Sequence, residues 1–427
     1  MKISKKIVLR VLATTVVAGL TMGTMSTSAQ AASKKTLNIW WYEKDTAMAT
    51  TWNDALIQFK KAHPDVKVNF QLKTWAQLQN AGNALLSSNS APDVSEWNKG
   101  NATAGSASQA GLLSNLNAYD KKYHWDKVLT PSIKAYGQYT NGLMGNGNLY
   151  GVPSYGEYVS WFYNKDAFAN AGIDVPKTFA GLEAALAKFK AAGQTPIALA
   201  GKDWIPVVLY GFVASKASLQ WVRDFQSFAH PVNFNGPEWS FGAKTIVAWN
   251  KAGYFEPNAT GIDTNAAVAD FQKGTYPLLF GGSWLDQDMA TKITSFKWGK
   301  FAMPGKLSVG SAGNLLVIPA KSKQKDLAAA FINMIISTKY QNELAAKSGL
   351  PIAATPAAVA AVKDPTSKLT NALFNSIVKT QGLAMYPDWP VNGYYNELLA
   401  DATQLLLDGN VSAYISKTAA FYNSNKP

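Results

Sequence analysis

The sequence predicts an α/β fold, and three observations carry the prediction. Between Leu37 and Val94, stretches with the two-residue period of strands alternate with stretches of helical period. The alternation returns from Leu149 to Gly193, where an extended run leads into an amphipathic helix. The chain has 427 residues, 47% hydrophobic and 16% charged, which allows two domains or one large bilobal body with a real core.

Leu37, Ile39 and Trp41 alternate with Asn38 and Trp40 as a first strand, with Tyr42-Glu43-Lys44-Asp45 at its C-terminal end. Trp52, Leu56 and Phe59 mark one helix face, which His63-Pro64 ends. Val66, Val68, Phe70 and Leu72 alternate with polar residues as a second strand. A helix through Trp75, Leu78 and Leu85 then leads to a short third strand at residues 91–94. This order implies right-handed parallel crossovers. Open sheets of this kind bind ligands beyond the carboxyl ends of their strands, which places Trp41 to Asp45 and Glu96-Trp97-Asn98 at one crevice.

Residues 141–151 are rich in Gly and Asn, but no phosphate-cradling G-x-x-x-x-G-K-[ST] or G-x-G-x-x-G motif occurs. Tyr158, Ser160 and Phe162 point to one side of the next strand and Val159, Trp161 and Tyr163 to the other. Pro176 breaks the chain, Thr178 caps a helix whose inner face is Phe179, Leu182, Leu186 and Phe189, and Gly193 stops it. Further strands are expected at 196–200, 276–280, 301–305 and 315–319. Helices are expected around Val207 to Phe212, Trp221 to Phe228, 241–252, 266–274, 326–337 and 395–407. Thr338 with Gln341 reads as a capping box for a helix that Gly349 ends.

Lys2, Lys5, Lys6 and Arg10, an apolar Val11 to Leu20, and Ala29-Gln30-Ala31 read as a signal peptide over residues 1–31, cut before Ala32. The mature chain is therefore expected outside the cytoplasmic membrane. No cysteine is present, which excludes disulfides, thiolate chemistry, Cys-ligated metals and a Cys-linked lipid anchor. The formal charge is +13, yet the lysines are scattered and arginine occurs only at Arg10 and Arg223, so no nucleic-acid surface is predicted. Diffuse positive charge fits retention by anionic cell-wall polymers.

The GVP of Gly151 to Pro153, the YNKDAF run of Tyr163 to Phe168, the following AGI, and PKTF entering a helix stand in a fixed order. Together they resemble the sugar-binding, maltose-type group of extracellular solute-binding proteins of ABC importers, over most of Leu37 to Tyr422. Gly281-Gly282-Ser283-Trp284 is similar to a loop of that group. The resemblance implies a periplasmic-binding-protein-like fold of two lobes, each a sheet flanked by helices. Lobe 1 would comprise residues 32–154 plus 298–337, and lobe 2 residues 155–297 plus 338–427. The three crossings would lie near Pro153-Tyr155, Phe296-Trp298 and Ser337-Thr338. It also implies a monomer that delivers a carbohydrate to an ABC permease driven by a cytoplasmic ATPase. Many Gram-positive relatives carry a lipidated Cys that this sequence lacks.

Enzyme signatures are scarce. His63, His124 and His230 show no metal-binding spacing, and no G-x-S-x-G elbow occurs. No cofactor, metal or catalysis is predicted, with a secreted glycosidase and a wall-associated adhesion protein as alternatives. A sugar needs charged or amide partners for its hydroxyls and flat rings for its C–H faces. Such residues gather at predicted strand ends and loops: Trp41, Glu43, Asp45, Trp97, Asn98, Tyr155, Glu157, Trp204, Trp284, Asp286 and Trp389. The resemblance adds Tyr394, among aromatics near the C-terminal helix. Core packing is the competing role for every ring. A ligand site requires Trp41, Trp97, Glu157, Trp204 and Trp284 to meet at one cavity.

Overall fold

Two five-stranded sheets organise the computed structural model, which describes residues 35–41, 46–347, 349–380 and 382–426. In chain order the strands are β1 (Lys35–Trp41), β2 (Val66–Leu72), β3 (Val94–Trp97), β4 (Gln138–Thr140), β5 (Leu143–Met144), β6 (Asn148–Leu149), β7 (Gly151–Pro153), β8 (Glu157–Asn164), β9 (Ile197–Ala198), β10 (Leu278–Gly282), β11 (Trp298–Phe301), β12 (Gly310–Ser311) and β13 (Leu315–Val317). The proposed leader, residues 1–31, lies outside the described residues. Among those described, no helix is long and apolar enough to cross a membrane.

The first sheet runs β2-β1-β3-β13-β7. β1 pairs parallel with β2, Leu37 opposite Val68, and with β3, Ile39 opposite Val94. The connecting helices Thr46–Ala62 and Trp75–Ser87 supply the expected crossovers. Leu37, Ile39 and Trp41 are buried in one core with Trp52, Phe59, Phe331 and Ile332. β3 starts later than expected. Pro92 has no amide for the ladder, and the Asp93 carboxylate takes the Asn38 amide at 2.8 Å.

The second sheet runs β11-β8-β10-β9, with β12 beside the start of β8. Every residue of β8 is buried, because apolar side chains leave both of its faces. Val159, Trp161 and Tyr163 join Leu186, Phe212 and Trp249 on one side, and Phe162 joins Phe271, Leu279 and Met289 on the other. The helix Phe179–Ala191 begins as predicted, with Thr178 Oγ1 accepting the Gly181 amide at 3.0 Å.

Three readings need correction. β11 pairs with β8, Phe301 opposite Trp161, so residues 298–301 belong to the second sheet and not to the first lobe. The chain regains the first sheet only after Ser311, where Leu315 pairs with Trp97 and Pro153. The helix Thr338–Ala346 still packs on the first core through Tyr340 and Leu344, so the last crossing falls beyond it. Its N-cap is Ser337, without a side-chain cap. Gln341 instead donates to the Ser154 and Ile335 carbonyls at 2.9 and 3.3 Å. Which sheet a short apolar strand joins depends on partners far away in sequence, and its own pattern carries no such information.

Candidate functional site

Five consecutive residues after β3 reach across to the second sheet's side of the molecule. Asn98 Nδ2 donates to Asp388 Oδ2 at 3.1 Å, and Lys99 Nζ donates to Glu157 Oε1 at 2.7 Å. Asn101 Nδ2 donates to the Gln226 and Pro390 carbonyls at 2.8 and 3.3 Å, and the Ala102 amide to the Trp389 carbonyl at 3.0 Å. Gly100 makes the turn possible. Its φ is +93°, and a Cβ there would stand 2.5 Å from the Trp389 Cβ. Asn101–Gly105 continues as one π-helical turn, a feature common at functional sites.

Behind this strip lies a buried polar network. Lys99 Nζ also donates to Asn314 Oδ1 at 3.1 Å and sits over the Trp389 and Tyr386 rings, 5.0 and 5.7 Å from their centroids. Glu157 Oε1 accepts a second bond from Ser311 Oγ at 2.7 Å. Asn314 Nδ2 donates to Tyr155 Oη at 2.8 Å and Glu96 Oε1 at 3.2 Å, and Tyr155 donates to Glu96 Oε1 at 3.0 Å. Burial pushes the Asp388 carboxyl up to about 6. Its own amide, Lys99 and Asn98 oppose the rise, and Glu157 adds to it.

Beside the network is a narrow recess whose enclosed volume is about 10 Å³, room for little more than one water-sized group. Met48 and Tyr155 line it from the first core, Glu157 from β8, Ser283 and Trp284 from the turn after β10, and Leu350 joins them. The Trp284 ring lies back over Gly282, where a Cβ would come within 2.2 Å of it. The glycine thus makes room for the indole itself. Trp204 meets Trp284 edge to face, 5.8 Å between centroids at 85°. A carboxylate oxygen, a hydroxyl, a flat ring and apolar contacts meet at its mouth, the kinds of group that the hydroxyls and C–H faces of a sugar engage. Among the described residues no group of His, Asp and Glu could hold a metal.

The convergence required of Trp41, Trp97, Glu157, Trp204 and Trp284 is not met, because Trp41 and Trp97 stand apart in the first lobe's cores and only the other three gather at the recess. Tyr155, Glu157 and Trp284 line the recess, with Trp204 against Trp284. Asn98 and Trp389 stand beside it in the strip, and Trp389 is only 1% exposed. Trp41 does not reach it. Its ring is a core piece, 5.0 Å from Phe70 and 5.8 Å from Trp52. Trp97 packs with Leu86, Leu113 and Leu315, and its indole N–H is buried without a partner among the described residues. Asp286 is sealed, gripped by Lys300 Nζ at 2.8 Å and by the Thr370 hydroxyl. Burial raises its carboxyl, and Lys300 opposes the rise. Tyr394 is fully buried and donates to the Thr418 carbonyl at 3.2 Å. Glu43 and Asp45 lie outside the described residues. Sequence reasoning missed Lys99, Ser311 and Asn314. Lys99 adjoins the nominated Asn98, whereas Ser311 and Asn314 reach the network through strand pairing and carried no signal.

Residues 41–342 match the family model for bacterial extracellular solute-binding protein. The "Multiple sugar-binding protein" of Streptococcus mutans is 23% identical over 331 residues, 74% of this chain and 75% of that protein. The "Diacetylchitobiose binding protein DasA" of Streptomyces coelicolor is 26% identical over 336 residues, 74% of this chain and 72% of that protein. A solved "Chitin oligosaccharide binding protein" superposes with a TM-score of 0.77 at 20% identity, covering 91% of this chain and 98% of that one. A structure of "SBP RafE in complex with raffinose" gives 0.73 at 20%, covering 91% and 99%. These likenesses carry the two-sheet periplasmic-binding-protein fold. The family match spans more than two thirds of the sequence, and the chain belongs to the bacterial extracellular solute-binding proteins.

Proposed function

We propose that this protein captures a sugar between its two sheet-bearing lobes and hands it to an ABC permease, without chemical change. The observation that carries the reading is the recess in which Met48 and Tyr155 of one lobe meet Glu157, Ser283 and Trp284 of the other. Relatives named for sugars, chitin oligosaccharides and raffinose support the ligand class. Contacts from both lobes form together only when the lobes approach, so ligand binding shifts the population toward closure. On this reading the first lobe takes residues 35–155 with 315–346 and the second residues 157–311 with 350–426, a division that the strand pairing and the two cores support. A thermal-shift screen against mono- and oligosaccharides, with a check for hydrolysed product, tests the proposal. A neutral sugar should raise the melting temperature and be recovered intact. No shift with any sugar, or turnover of one, overturns it.

The protein acts as a monomer outside the cytoplasmic membrane, held near anionic wall polymers by its diffuse positive charge. Washing cells in high salt should release it. Retention at high salt rejects the electrostatic tether.

A further inference from the structure

The Lys99–Glu157 pair is built in an asymmetric way. Both Lys99 and Ser311 bond to the same oxygen of Glu157, Oε1, each at 2.7 Å. Oε2 has no hydrogen-bond partner among the described residues, and Glu157 is a wall of the recess. The lysine side chain is 1% exposed and that of Glu157 8%. The ammonium is enclosed by Glu157, Asn314 and two aromatic rings, so it cannot itself meet a ligand. Its charge acts inside the wall. A second carboxylate, Glu96, stands one amide away from it through Asn314, and the charge of Lys99 also opposes the rise of the Asp388 carboxyl. Without Lys99, the Glu157 carboxylate would wall the recess with no cation bonded to it among the described residues.

We propose that Lys99 is a positioning residue that cancels the charge of the recess wall and pins Oε1 of Glu157, leaving Oε2 to accept one hydroxyl proton. The site thereby selects neutral hydroxyl-bearing ligands over protonated amines. The inference rests on the sugar-binding reading above and adds the ligand charge that the site accepts. A protonated amine entering the recess loses its hydration and finds Glu157 already compensated, so it gains little in return. A neutral hydroxyl loses less water and gains a charge-assisted bond.

Lys99→Met keeps the length of the side chain and removes its charge. Binding is compared at pH 6 for glucose with glucosamine, galactose with galactosamine, and cellobiose with the chitosan disaccharide. The first two pairs differ by one ammonium in place of a hydroxyl, and the third by one on each ring. Relative to the native protein, Lys99→Met should shift the amine-to-neutral affinity ratio at least tenfold toward the amine. Lys99→Gln serves if the methionine variant does not fold. A double-mutant cycle of Lys99→Met with Glu157→Gln, followed by urea unfolding without ligand, should show at least tenfold coupling in the unfolding constant. A native protein that binds sugar and an unchanged ratio in the variant overturn the selectivity role alone. Additive effects in the cycle overturn the pinning of Oε1. If no sugar binds the native protein while the coupling stands, the sugar reading fails and the selectivity role falls with it.

Discussion

Lys99–Glu157 and Lys300–Asp286 are both buried lysine–carboxylate pairs, and they do different work. Lys300 is bidentate, with Nζ 2.8 Å from each Asp286 oxygen, and it also donates to Tyr158 Oη at 2.7 Å. The Thr370 hydroxyl completes that carboxylate, and both side chains are 0% exposed. Every acceptor is engaged, and both partners lie on the second sheet's side. Lys99–Glu157 joins the two sheets and leaves one carboxylate oxygen uncommitted beside open space. Burial and charge alone therefore do not mark a ligand site. What sets Glu157 apart is an unspent hydrogen-bonding position at the edge of a cavity.

The largest expected effect tests the sealed pair. Lys300→Met leaves Asp286 buried and unpaired, and urea unfolding should show a loss of about 3–5 kcal/mol. Sugar affinity per folded molecule should hold. A mild loss of stability would mean that Thr370 and solvent suffice, and the contrast between the pairs would break.

Asp388 tests the other side. Its carboxyl is raised from 3.8 to about 6 by burial, so between these values the folded state binds more protons than the unfolded state. This group's contribution to stability is present below about pH 4 and declines as pH rises through 6. Asp388→Asn removes the dependence. The stability difference between native protein and variant should change by up to about 3 kcal/mol from pH 4 to pH 7. Parallel pH curves would show that Asp388 stays ionised in the fold.

Trp284→Ala sharpens the comparison on the ligand side, with about 1.5–3 kcal/mol lost from binding, roughly 10- to 100-fold in affinity. Unchanged affinity by calorimetry removes Trp284 from the site.

Much of the fold was legible in the sequence because strand and helix periods report burial directly. β8 reveals both of its faces in Tyr158 to Tyr163. The lining of the recess was legible where a side chain follows a strand end or opens a strand, as with Glu157 and Trp284. It was hidden where two plausible residues compete for the core. Trp41 has the composition of a ligand platform, but Phe70, Trp52 and Phe331 claim its ring. Asp286 adjoins Trp284 in sequence, yet it starts the helix Asp286–Lys292 and turns inward to Lys300. Lys99 was passed over because scattered lysines are ordinarily solvated, and only tertiary structure reveals one buried among aromatic rings.

β12 binds Glu157 twice, through the pairing of Ser311 with Glu157 and through the Ser311 hydroxyl. It also leads directly into the return to the first sheet. Gly313, at φ +73°, takes that bend where a Cβ would collide with the Tyr155 carbonyl at 2.1 Å. The passage between the sheets is thus tied at one end to the Glu157 carboxylate through Ser311 and at the other to the Tyr155 backbone beside Gly313, so the link that joins the halves and the wall of the recess share the same few residues.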